Sequence, residues 1–338
     1  MKTMAALILA GSLMTGLAAP ALAHHSAAAY DTQKEINVTG KVTQYRFTNP
    51  HVYLTLEVKR DDGSIAKMEV EAGAASVLNG LGFSKNSIAV GEMVRIVGNP
   101  ARNNPAVSML GRDLYKQDGT YVPLNIASRS IYDAKNQTAT ATTIAGTWFA
   151  PRSEFGAFLG SSGRWTLTEK GKAAAANGDA RNNSLKDCVP VGAPALLLYP
   201  VANTITVQRD RVLMKIDWMD SERTVYLDGR KHPPATETSL QGHSVGRWEG
   251  NTLIVETTNF KDNPMGLSMA LPGSTEKRLS ERFALGDDRK TLIYSGTLED
   301  AAYLSQPVQW SSKLEYRPTM AHSNQKCDPE LARKFLQP

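Results

Sequence analysis

Two cysteines in 338 residues are too few for a Cys-rich zinc module, an iron–sulfur cluster or a dense disulfide scaffold. The histidines His24, His25, His51, His232, His243 and His322 form no H-x-x-x-H pattern, and no C-x-x-C-H haem attachment exists. Neither G-x-G-x-x-G nor a P-loop is present, so nucleotide cofactors have no support. Beyond the first 23 residues no apolar run approaches the about 20 residues of a membrane helix, and no membrane span is expected in the mature chain. An excess of one charge is missing too. Lys and Arg number 38 against 33 Asp and Glu, they are intermixed, and the net charge is only +5. That excludes the basic stripe of a nucleic-acid binder. No fixed-period repeat suggests a solenoid or propeller.

What is present begins with an export signal. Lys2 gives a short positive start, Met4 to Leu17 is apolar or small, and Ala21-Leu22-Ala23 puts small side chains where signal peptidase reads. Residues 1–23 are therefore expected to be a signal peptide cleaved between Ala23 and His24, delivering the chain to the periplasm or the exterior. In that oxidising setting Cys188 and Cys327 are expected to form a disulfide.

The rest reads as an all-β protein. In residues 24–124, strands are expected over Glu35–Phe47, His51–Lys59, Ser64–Glu71, Gly91–Val97 and Ala106–Leu110, with one short helix over Ala74–Leu81. Three strands, a helix and further strands is the order of a small OB-like barrel, with a plain sandwich as the alternative. Residues 125–145, rich in Thr, Ala, Ser and Asn, read as a linker. Residues 146–338 read as a larger β-barrel or sandwich with almost no helix. Its strands include Arg211–Trp218, Thr224–Leu227, Thr252–Phe260, Lys277–Leu285, Thr291–Leu298 and Val308–Tyr316. A lipocalin-like barrel, able to enclose a small apolar ligand, is among the forms this pattern allows.

Ala23-His24-His25-Ser26, Tyr30-Asp31, Lys34, Gly40-Lys41-Val42, Asn49-Pro50-His51 and Gly91-Glu92 resemble an uncharacterised family of exported bacterial proteins over about residues 21–110. Cys188-Val189-Pro190-Val191-Gly192, Tyr226-Leu227-Asp228-Gly229-Arg230 with His232-Pro233, and Gly242 to Leu253 are similar to a second uncharacterised exported domain. Neither resemblance implies a reaction.

Gly242-His243-Ser244-Val245-Gly246 fits G-x-S-x-G, but it sits between a Pro- and Thr-rich loop and a hairpin. A nucleophile elbow needs a strand-to-helix turn. The same segment is nonetheless the densest polar cluster. His243 with Asp228, Arg247 and Glu256 could serve acid–base chemistry, and Glu281 is a further carboxylate in an apolar strand. The competing interpretation is a buried polar network that locks a loop onto the barrel. Trp248, Arg230 and His232 are the candidate ligand contacts, with Trp248 expected to pack inward beside Arg247.

Three functions follow as alternatives. One is a binding protein for a small apolar or aromatic molecule in the larger barrel. Another is a cofactor-independent lyase, hydratase, isomerase or hydrolase using His243. The last is copper binding: an N-terminal His24 chelates through its amine and imidazole, His25 adds an imidazole, and His51 folds back as a third ligand. Tyr30 and Asp31 would supply axial or outer contacts. No organic cofactor is expected, and the oligomeric state is left open.

Overall fold

The structure, a computed structural model, describes residues 29–132, 138–177, 183–269 and 271–334. The expected leader and its cleavage site, with His24 and His25, lie outside the described residues.

The chain forms two closed barrels. The first contains β1 (Ile36–Arg46), β2 (Tyr53–Lys59), β3 (Ile65–Glu71), helix α1 (Ala75–Gly80), β4 (Met93–Pro100) and β5 (Ser108–Lys116). A short β6 (Tyr121–Pro123) is added at the edge of β5. Antiparallel neighbours run β3-β2-β1-β4-β5, and a parallel pairing of Glu69–Glu71 with Ser108–Leu110 closes the ring. That is the five-stranded closure of an OB-type barrel. Strand alternation drives it: in β1 Val38, Gly40 and Val42 are buried between exposed Asn37, Thr39 and Lys41, and Leu54, Leu56, Val70 and Ile96 of its neighbours are fully buried. At the β2–β3 hairpin Gly63 takes φ 82°, and the Asp62 carboxylate accepts the Ser64 amide at 2.9 Å.

The second barrel has nine strands: β7 (Gly146–Phe149), β8 (Ala202–Val207), β9 (Arg211–Ile216), β10 (Ser221–Tyr226), β11 (His243–Glu249), β12 (Thr252–Thr258), β15 (Arg278–Leu285), β16 (Thr291–Glu299) and β17 (Val308–Tyr316). The strands β13 (Asn263–Ser268) and β14 (Leu271–Gly273) form a separate ribbon. Neighbours are antiparallel except β10 and β11, which run parallel. Residues 227–242 make the crossover between them. The larger unit is thus a barrel rather than a sandwich, and this parallel step distinguishes it from a simple up-and-down lipocalin-like form.

The expectation of almost no helix in this half needs correction. Helices α2 (Arg152–Ser161), α3 (Glu169–Ala176), α4 (Ala195–Leu198) and α5 (Pro329–Ala332) are present. Gly156 and Gly160 weaken the helical signal of α2, which is stabilised instead by burial of Phe155 and Phe158. The start of α3 carries a readable cap: Thr168 Oγ1 accepts the Gly171 amide at 3.0 Å. The end of the stretch read as a linker is also no free connector. Ala141 and Ile144 are buried in the second core, and the Ile144 carbonyl accepts Trp148 Nε1 at 2.8 Å.

The barrels meet along α1 and the C-terminal tail. Ala74 and Val77 belong to the second core, and a Cβ at Gly80 would lie 2.6 Å from the Phe149 ring. The tail returns to the first barrel. Asn49 is fully buried; its amide donates to the Gln325 carbonyl at 2.8 Å, and its side-chain oxygen accepts Ser76 N at 3.2 Å and Ser76 Oγ at 3.0 Å. Arg46 reaches Asp328 at 2.6 Å. Between these contacts lies Cys327, bonded to Cys188 across a sequence separation of 139, with Cα atoms 5.8 Å apart. The expected disulfide is present. Among the described residues no helix is long and apolar enough to cross a membrane.

Candidate functional site

The first constellation stands where β2 and β3 leave the small barrel. Asn49, anchored as above, fixes the strand entry two residues before His51. The His51 Nδ1 lies 3.2 Å from the Ala72 carbonyl oxygen and 3.3 Å from Glu71 Oε1. Both neighbours are acceptors, which selects the tautomer with the proton on Nδ1 and leaves Nε2 as the acceptor nitrogen of the neutral ring. The ring proton is directed to Ala72, and Glu71 Oε1 makes no hydrogen bond of its own among the described residues. The other oxygen, Oε2, accepts the hydroxyls of Tyr30 at 3.0 Å and Tyr53 at 3.3 Å. Burial, then the Glu71 charge, pushes both phenols well above their ordinary range, so they remain donors. Lys334 lies 4.4 Å from the Tyr53 ring centre and pairs with Glu69. Tyr30 thus bonds the carboxylate that faces His51. Asp31 instead pairs with Lys34 at 3.3 Å.

The second constellation crosses the inside of the large barrel. Arg223 is held by β10, Ser244 by β11, Thr257 by β12, Glu281 by β15 and Tyr294 by β16, all five buried. The Arg223 fork grips both Glu281 oxygens, one at 2.9 Å, while its Nε donates to Ser244 Oγ at 2.9 Å and a terminal nitrogen donates to Thr257 Oγ1 at 2.6 Å. Tyr294 donates to Glu281 at 2.7 Å. Ser244, the residue at the centre of G-x-S-x-G, is thus spent on this belt. A Cβ at Gly242, where φ is 69°, would lie 2.6 Å from the Thr258 carbonyl oxygen. The glycine serves close strand approach rather than a nucleophile elbow. Sequence reading noticed Glu281 but missed Arg223, because an Arg between Glu222 and Thr224 reads as a surface strand.

Nearby, Lys277 is fully buried among carbonyls, donating to Ala193 and Gly266, and lies 4.3 Å from the Phe260 ring centre. Burial pulls its ammonium from the ordinary 10.5 down to about 7. Between these values the unfolded chain keeps a proton that the folded chain releases, so stability rises with pH and is lost as pH falls toward 7. We expect urea unfolding to show a gain on the order of 1–2 kcal/mol between about pH 7.5 and about pH 9. Lys277→Met should flatten that rise; an unchanged slope would show another group to be responsible.

The third constellation lies on the outer face of the large barrel. His243 opens β11, with its ring stacked on Tyr226 at 5.2 Å and 22°. Its Nδ1 lies 3.0 Å from Nδ1 of His232. Arg230 lies 3.7 Å from the Tyr226 ring centre and holds Asp228 through a two-pronged contact. Burial first, then the His232 and Arg230 charges, lowers the His243 pKa below its ordinary value. The expected pairing of His243 with a carboxylate is not formed: Asp228 is taken by Arg230, and Glu256 accepts Ser280 Oγ at 2.7 Å. Arg247 pairs on the surface with Glu249 at 2.7 Å. The inward expectation for Trp248 is also corrected, since it is 40% exposed. It shares a side with the buried Leu253 opposite, but stands at the end of the hairpin.

His322 contributes one more polar contact. Its Nε2 meets Thr204 Oγ1 at 2.8 Å, but its Nδ1 is 3.9 Å from Asp217, beyond a hydrogen bond, and Asp217 is occupied by Ser323. A nucleophile–base–acid relay is therefore not assembled.

A family model described as a family of unknown function (DUF6152) matches residues 12–109, ending within β5 of the first barrel. No curated protein matches the chain.

Proposed function

We propose that this is an exported copper-binding protein whose site combines the amine and imidazole of an N-terminal His24 with Nε2 of His51, at the rim of the small barrel. The carrying observation is the His51 ring: its Nδ1 is held by Ala72 and faces Glu71, while Nε2 has no hydrogen-bond partner among the described residues. Metal-bound imidazoles are commonly oriented in this way through their second nitrogen. Tyr30 bonds the same Glu71, and the Ala29 carbonyl accepts the Arg102 amide at 2.9 Å. Five residue steps lead from Ala29 back to His24, a reach of at most about 18 Å. His25 offers a second imidazole, and the unspent Glu71 Oε1 places negative charge beside the site. Amine and imidazole nitrogens suit Cu(II).

The test is to express the whole chain with its own leader, confirm His24 as the first residue by mass spectrometry, and titrate Cu(II) in competition with glycine. One tight equivalent is expected, weakened at least about tenfold by His51→Ala or by a residue added before His24, and about 10–100-fold by Glu71→Gln. Affinity indifferent to all three changes would overturn the reading.

A second reading, a small-molecule site inside the nine-stranded barrel, is favoured by one observation. The indole Nε1 atoms of Trp218 and Trp310 are buried without a hydrogen-bond partner among the described residues. A ligand there would have to supply acceptors and be small, because Trp148, Phe283 and Tyr294 already fill the interior. Native mass spectrometry of the freshly purified chain tests this: a retained small molecule supports it, and a bare mass opposes it.

A further inference from the structure

We infer that His232 and His243 form a second, independent Cu(II) site on the outer wall of the large barrel. The two Nδ1 atoms lie 3.0 Å apart, with the rings crossed at 77°. Two nitrogens at this spacing, each about 2.0–2.1 Å from one ion, subtend about 94° at the metal. That is the cis angle of a square-planar array, which suits Cu(II); a tetrahedral ion would ask for about 3.3 Å.

The pair is held from both sides. His243 is fixed by β11 and by its stack on Tyr226. His232 precedes Pro233-Pro234, and Asn259 Nδ2 donates to the carbonyls of Pro233, Pro234 and Glu237, pinning the crossover loop to the barrel. Such preorganisation lowers the cost of bringing two ligands together. Among the described residues no third His, Cys, Asp or Glu completes a metal cluster, so the remaining positions would be left to solvent. Arg230 opposes a cation here, and its pairing with Asp228 offsets that charge.

The test uses the whole chain titrated with Cu(II) in a non-coordinating buffer, where the weaker second equivalent also fills, with stoichiometry and electron paramagnetic resonance as readouts. Loss of one equivalent is expected in His232→Ala and in His243→Phe, the second retaining an aromatic stack on Tyr226. The lost signal should carry hyperfine coupling to two imidazole nitrogens. His51→Ala should leave that equivalent intact, so failure here and failure of the N-terminal site are separable. Unchanged stoichiometry in both folded variants, checked by thermal melting, would reduce the pair to an imidazole–imidazole hydrogen bond and overturn the inference.

Discussion

Arg223→Met is expected to lower the unfolding free energy of the large barrel by about 3–5 kcal/mol, because it leaves Glu281 as an uncompensated charge in a dry interior. Tyr294 and Thr257 would remain near the carboxylate, but neither neutralises it. The variant should therefore become more stable as pH falls. Its Glu281 pKa in the folded state would rise above the unfolded value, so stability would be present at low pH and lost as pH climbs through the raised value. The paired change Arg223→Met with Glu281→Leu removes both charges and should recover most of the loss. Urea unfolding followed by tryptophan fluorescence suits the measurement, since all five Trp lie at Trp148 or beyond and report the second barrel. A loss below about 1 kcal/mol for the single variant would mean that water reaches the belt.

The second large effect is expected from Cys188→Ser with Cys327→Ser. A link across 139 residues removes much conformational freedom from the unfolded chain, and loop entropy gives about 5 kcal/mol for its loss. The link also holds the tail segment that supplies carbonyls to Asn49, so its removal should loosen the first barrel's contacts with residues 325–328. Calorimetry of wild type with and without reductant, beside the double variant, provides the comparison. Equal melting temperatures in all three would show that noncovalent contacts alone secure the tail. Two titratable thiols in the unfolded, unreduced wild type would contradict the bond itself.

Much of the fold was legible because it depends on local alternation. Val212, Met214 and Ile216 mark β9 without reference to anything distant, as do Leu54 and Leu56 in β2. The two cysteines admit one intramolecular pairing. Closure was less legible. The parallel contacts of β3 with β5 and of β10 with β11 join segments whose local patterns say nothing of partner choice. Trp248 shows a related limit: alternation gives a side of the strand, while exposure depends on where the barrel ends. For the candidate sites, sequence brought His232 and His243 into one cluster and singled out His51. It did not reveal Glu71 as the group facing His51, because a carboxylate at the end of a polar-alternating strand resembles many surface residues. Nor did it reveal that Asn49 and His51, adjoining a single proline, have separate tasks: one docks the tail and the other offers a ring nitrogen.

The docking of Asn49 also bears on the order in which the molecule can be completed. Its carbonyl partner Gln325 lies 276 residues downstream. Until the segment around residue 325 is in place, this side-chain amide lacks its carbonyl partner. Such distant pairing carries a large loop-closure cost before it gives any return. A chain interrupted before the tail would retain every strand of the small barrel and still lack the strap over Asn49, next to His51. Assembly of this rim thus waits on a segment that the strands of the small barrel do not contain.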